Sequence, residues 1–257
     1  MTMNSCCYMC DLPGTTVEHV PPRSIFPESK DVGGQDYRKN LITVLSCPAH
    51  NNQKSHDDEF LMVSLAGIIG NNSIGYQHKF TKVDRAIRRS ANTLLNKAVT
   101  KKQKVTKIRL DNNRFIDVIS GTPDVTRLLQ CFDRIVRGLH QHHFSQQLKG
   151  EVQVLLGYLF YSDPSSKNFT QFVADKVVLE LDGKPRFGEN QEVFYYQITD
   201  PDQYNLFLFR LCFYGGLNIY AAVLPEGVKR PFDLGSELIN LGVKTIITLG
   251  EKSYEIN

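Results

Sequence analysis

Residues 40–61, "NLITVLSCPAHNNQKSHDDEFL", change character half-way. The first part, "NLITVL", is rich in β-branched residues and reads as a strand. The second part opens with Cys47-x2-His50 and runs through Asp57, Asp58 and Glu59 into Phe60, Val63 and Leu65, which follow with near-helical spacing. Acids complement the positive end of a helix, so a turn followed by a helix that starts at these acids is expected. Upstream lies "EHVPP" at 18–22, a second strand whose prolines prevent it from continuing as a helix or as a central strand. The order is strand, strand, helix. Ahead of the first strand stands Cys7-x2-Cys10.

Two chelating pairs, Cys7-x2-Cys10 and Cys47-x2-His50, are the spacing of a closed tetrahedral zinc site, with soft thiolates and one imidazole. Of the six cysteines, Cys6, Cys7, Cys10 and Cys47 lie in the first fifth of the chain, which favours metal over disulfides. Cys6 is an alternative to Cys7, although the two-residue spacer is the commoner chelate. Cys131 and Cys212 sit in apolar surroundings and read as core thiols. A short unit with few core residues gains from such a staple.

A zinc tie between 7–10 and 47–50 would pin Glu18 and His19 beside Asn51, which follows His50. Glu18 and Asn51 offer hard oxygen ligands that suit Mg²⁺. His19 titrates near neutrality and is the natural base for activating water. Lys54, just beyond, can reach a phosphate.

The combination "C-x2-C … EHVPP … NLITV-x-x-C-x2-H-N-N … SHDDEF" resembles the HNH, or ββα-metal (His-Me finger), endonucleases, over about residues 5–65. The resemblance implies that His19 is the general base and Glu18 the metal-binding acid. It implies that Asn40 holds the loop carrying the base, that Asn51 is the last metal-site residue of an HNN variant, and that Cys7, Cys10, Cys47 and His50 bind structural zinc. The catalytic ion would be Mg²⁺ or Mn²⁺, and products would carry 5′ phosphates. Glu18 stands where the family often has Asp. His50 stands where it usually has Cys, which leaves open a second register in which His50 holds the catalytic ion. Small proteins of this group resemble effectors of anti-phage or restriction systems.

The 257 residues are 41% hydrophobic and 22% charged, as in globular proteins. The net charge of +3 is unevenly spread: residues 79–109 hold eleven Lys or Arg and one acid, Asp84. Such a stripe fits non-specific phosphate binding, with Arg85, Arg88, Arg89, Lys101, Lys102 and Lys104 as the candidate contacts. Few aromatic residues interleave, so double-stranded DNA is a better partner than unpaired bases.

Residues 83–98 fit one amphipathic helix with a basic face. Residues 104–120 alternate like a hairpin with Asp111, Asn112 and Asn113 at its turn, and a core helix follows Thr122 as N-cap and Pro123. The segments at 151–161, 172–182 and 192–200 read as strands, 206–224 as a buried hairpin around Gly215-Gly216, and the end as a Lys-rich turn. "HQHH" at 140–143 reads as a polar helix end, not a metal site.

The chain is therefore expected to be α+β, with a zinc-stapled ββα-metal finger followed by a larger mixed α+β domain. The expected segments are a nuclease module at 1–65, a basic connecting segment at 66–110 and an α+β domain at 111–257 that positions or regulates the nuclease or docks a regulatory protein. Without a signal-peptide pattern or a clean apolar span, a cytoplasmic protein is expected. A catalytically inactive zinc-dependent nucleic-acid-binding or adaptor module is the alternative from another class.

Overall fold

The computed structural model describes residues 6–109, 115–161, 163–228, 240–249 and 252–256; side chains at 52–56, 100–103, 105–106, 108, 115–120 and 245–256 lie outside that description. Strand β1 (Thr16–His19) pairs antiparallel with β2 (Thr43–Ser46), with Thr16 opposite Ser46 and His19 opposite Thr43. Alternation along β1 turns Val17 outward and Glu18 inward, where it is only 4% exposed.

From β2 the chain enters α1 (Pro48–Ala66) directly. Cys47 is its N-cap and Pro48 its first residue, where a missing N–H is no loss. Asp57, Asp58 and Glu59 are thus interior to the helix, not its start. Asp57 has another role: its carboxylate accepts from Arg127 Nε at 2.8 Å and Arg134 Nη1 at 2.6 Å. The Arg127 guanidinium also lies 4.3 Å from the centre of the Phe60 ring.

Asn72 caps α2 (Ser73–His78), accepting from Gly75 N–H at 3.1 Å. The chain continues through a π-helical turn, Lys79–Val83, into α3 (Asp84–Arg89). The single helix expected over 83–98 is broken: Ala91 and Asn92 take φ of 49° and 66°, and α4 (Thr93–Ala98) starts afresh. Val83, Ile87, Leu94 and Ala98 are nevertheless buried, so the apolar pattern served two short helices. Strands β3 (Val99–Arg109) and β4 (Phe115–Pro123) form the expected antiparallel hairpin. Its anticipated turn at Asp111, Asn112 and Asn113 lies outside the described residues. Helix α5 (Val125–Phe144) is capped by Asp124, whose side chain accepts from Arg127 N–H at 3.1 Å. The expected cap, Thr122, and Pro123 belong instead to β4.

The chain forms two compact units, drawn differently from the three expected segments. The first holds residues 1–148 together with 187–195 and 212–217. In its core α1 contributes Phe60, Leu61 and Leu65, and α5 contributes Leu128, Phe132, Ile135 and Leu139. The late segments brace the loop between β1 and β2: Tyr214 Oη donates to Ile25 O at 2.6 Å, Tyr37 Oη to Glu192 Oε2 at 2.9 Å, and Asn190 Nδ2 to Lys39 O at 2.9 Å.

The second unit holds 149–186, 196–211 and 218–257. Strands β5 (Gly150–Leu155), β6 (Phe194–Ile198), β7 (Phe207–Phe213) and β8 (Leu217–Pro225) form one sheet in the order β5-β8-β7-β6. Its middle is the 206–224 hairpin, with Tyr214 and Gly215 at positive φ in the turn. Segment 172–182, read above as a strand, is the end of helix α6 (Pro164–Glu180). Asp163 caps it, accepting from Ser166 N–H at 2.7 Å, and Pro164 opens it. Val173, Val177 and Leu181 recur every four residues and pack with Leu155, Leu208 and Tyr220. The C-terminal turn is a hairpin of β9 (Thr245–Leu249) and β10 (Lys252–Ile256). Among the described residues no helix is long and apolar enough to cross a membrane.

Candidate metal centre

The sulfurs of Cys7, Cys10 and Cys47 and the ring of His50 converge, each offering one ligand atom within 4.8 Å of the others. His50 Nδ1 is 3.5 Å from Cys7 Sγ, 3.5 Å from Cys10 Sγ and 3.2 Å from Cys47 Sγ, while the Cys10 and Cys47 sulfurs are 3.9 Å apart. A tetrahedral zinc with bonds of about 2.3 Å to sulfur and about 2.0 Å to nitrogen requires S···N near 3.5 Å and S···S near 3.8 Å, roughly the spacing found. The donor set therefore fits zinc. Cys7 is the cysteine that joins the cluster, whereas Cys6 forms an isolated bridge with Pro13.

Local structure explains the convergence. Cys7 N–H donates to Leu12 O at 2.8 Å, closing the knuckle, and Tyr8 N–H donates to Leu45 O at 3.0 Å, tying it to β2. Gly14 permits the approach, because a Cβ there would lie 2.6 Å from that of Leu45. On the other side, the first turn of α1 presents Cys47 and His50 together. Burial opposes ionisation of the Cys7 thiol, but hydrogen bonds at Met9, Cys47, His50 and Cys10 bring it down to about 6. Cys10 moves the other way: a hydrogen bond at Leu12 favours its thiolate, but burial and the Cys47 and Cys7 sulfurs outweigh it. Close thiols lose their protons in sequence, and the first thiolate forms near neutrality.

Glu18, on the inner face of β1, accepts from Tyr8 Oη at 2.9 Å. Burial, and then the Glu18 charge, push the Tyr8 phenol far up, so it remains a donor. His19 closes β1 and is half-buried. Asn51 follows His50 on α1, its N–H donating to Cys47 O at 3.0 Å. Thus β1 and α1, which pack together, carry the expected base, acid and amide. Asn40 is exposed in the turn before β2 at φ 50°, a left-handed conformation that asparagine tolerates. Lys54 lies on α1, with its side chain outside the description. Among the described residues, Cys7, Cys10, Cys47 and His50 are the one group of three or more His, Cys, Asp or Glu side chains placed to hold an ion. The 140–143 histidines form no such group: His140 bonds Gln146 O at 3.0 Å, and the His143 ring packs edge-on to Phe187.

The basic stripe is partly neutralised within the first unit. Arg85 makes a two-pronged pair with Asp31 at 2.7 and 2.9 Å, and Lys79 pairs with Asp84. Arg88, Arg89 and Lys104 are exposed on α3 and β3; the side chains of Lys101 and Lys102 lie outside the description. Lys82, from the same stripe, and Arg38, outside it, both pair with Glu28, and the Arg23 charge acts on Arg38. No protein-family model, curated protein or solved structure matches the chain.

Proposed function

We propose that the chain is a metal-dependent HNH-type endonuclease that hydrolyses phosphodiester bonds in double-stranded DNA. The observation that carries this reading is the four-donor cluster lying between the knuckle and the first turn of α1. A zinc ion there would staple both elements around β1 and hold the Glu18-His19 pair against the helix that carries Asn51. His19, as the neutral imidazole, takes a proton from the attacking water. Glu18 and Asn51 would hold Mg²⁺ or Mn²⁺, whose positive charge serves the phosphate and the leaving 3′ oxygen. Their hard oxygen donors fit such an ion, and the hydrogen bond from Tyr8 keeps one carboxylate oxygen of Glu18 oriented. Exposed Arg88, Arg89 and Lys104 supply charge for the duplex backbone.

The test is supercoiled plasmid incubated with purified, zinc-loaded protein with Mg²⁺, with Mn²⁺ or with neither, with end-labelling of the products. Nicks or breaks that need the divalent ion and leave 5′ phosphates are expected. Binding of the plasmid that ignores the divalent ion, with no cleavage, would replace this reading with that of a zinc-dependent binding module.

A further inference from the structure

We infer that Arg23, Arg38 and Lys82 form a subsite for a backbone phosphate of nucleic acid, flanking the proposed cleavage centre; the choice of ligand rests on the nuclease reading, the geometry does not. Arg38 Nη1 and Lys82 Nζ reach the same oxygen of Glu28, at 3.5 and 3.4 Å, while Lys30 takes the other at 2.7 Å. Arg23 stands close enough for its charge to act on both Arg38 and Lys82. Lys30, Arg38 and Lys82 therefore share one carboxylate, with the Arg23 charge beside them. The next acid, Asp31, is committed to Arg85. Like charges held this close repel one another, so an added anion is favoured there.

The cluster is also built. Arg38 is held by its Nε–H donating to Phe26 O at 2.9 Å, and its side chain is 16% exposed. Its Nη2 is buried and has no hydrogen-bond partner among the described residues. Lys82, 20% exposed, projects from the π-helical turn, a distortion that recurs at functional sites. Burial, and then the Arg38 charge, pull the Lys82 ammonium below its ordinary range. Arg23 is exposed and has no carboxylate partner among the described residues. A backbone phosphodiester, with one negative charge on two oxygens, would offset this surplus charge.

Position links the cluster to the proposed chemistry. Arg23 follows His19 by four residues, so at full extension it lies within about 14 Å, a few nucleotides along a strand. Ser24 Oγ donates to Asp58 O at 2.9 Å, fixing the turn that carries Arg23 to α1.

The experiment measures binding of a fluorescent 20-base-pair DNA duplex by zinc-loaded protein without added Mg²⁺ or Mn²⁺, at several salt concentrations, for wild type, Arg23→Gln and Arg23→Gln/Lys82→Gln. Each phosphate contact contributes about 0.9 to the slope of log affinity against log salt. The single variant should lose about 0.9 and the double about 1.8, so a fourfold rise in salt weakens the double variant about twelvefold less than wild type. Arg23→Gln, at an exposed and unpaired position, guards against misreading a folding defect. Slopes unchanged in both variants, or no duplex binding by wild type, would overturn the subsite. Plasmid cleavage by wild type is scored separately: unchanged slopes with cleavage sink only the subsite, while the expected slopes without cleavage sink only the nuclease.

Discussion

Cys47→Ser exchanges a thiolate for a hydroxyl at a sulfur that sits 3.2 Å from His50 Nδ1 and 3.9 Å from Cys10 Sγ. Structural zinc held by such donors contributes about 10–16 kcal/mol near neutral pH, against a total stability of about 5–15 kcal/mol for a domain. Even a loss of about 5 kcal/mol lowers the melting temperature of a chain this size by roughly 10–20 °C. Elemental analysis of wild type should give one zinc per chain, and Co²⁺-exchanged protein should show thiolate charge-transfer absorption. Cys47→Ser should lose the zinc and melt at least that much lower. Cys6→Ser should keep both, because the cluster uses Cys7. Zinc-free wild type, or Cys47→Ser with full zinc and an unshifted transition, would show that the cluster holds no structural zinc.

Three further outcomes are expected. His78 is fully buried, its Nε2–H donating to Ser24 O at 3.1 Å; burial, then the Lys82 charge, lowers its pKa to about 4. The unfolded chain then binds the extra proton, so stability is complete above about pH 6.5 and falls by about 3 kcal/mol as the pH drops to about 4. Urea titrations across this window should show that loss in wild type and a shallower one in His78→Gln, whereas parallel curves would contradict it. In most helices Gly→Ala stabilises by about 1 kcal/mol, but a Cβ at Gly138 would lie 2.7 Å from Val20 Cγ2. Gly138→Ala should instead cost about 1–3 kcal/mol in denaturant melts and slow cleavage, since Val20 adjoins His19; a gain in stability would sink this. Asp57→Asn weakens both arginine pairs, and with the partners about a quarter exposed the expected loss is about 2 kcal/mol. Chemical denaturation checks it, and a change under about 0.5 kcal/mol would show that the pairs are ornamental to stability.

The Cys/His cluster was legible because chelating pairs are local: two residues separate Cys7 from Cys10, and two separate Cys47 from His50. The β3–β4 hairpin and α5 were legible from periodicity. Competing local cues misled elsewhere. Asp57, Asp58 and Glu59 imitate a helix start, yet Pro48 after Cys47 is the stronger signal, and Asp57 serves arginines 70 and 77 residues away. In α6 the β-branched valines suggested a strand, while the capping Asp163 and the four-residue recurrence of Val173, Val177 and Leu181 decided for a helix. Ala91 and Asn92 break a pattern that apolar spacing alone joins. The cluster around Glu28 draws on Arg38 and Lys82, too far apart in the chain to leave a local signature. Likewise nothing near Ile25 announces that Tyr214 will bind its carbonyl.

The most direct measurement is plasmid cleavage by wild type and His19→Ala in Mg²⁺ or Mn²⁺, with zinc content and melting temperature recorded for both. Metal-dependent nicking or linearisation by wild type is expected, and its loss by at least a hundredfold, the scale of general-base catalysis, in a variant that keeps its zinc and its fold. Full activity in His19→Ala, or no cleavage by zinc-loaded wild type, would contradict it.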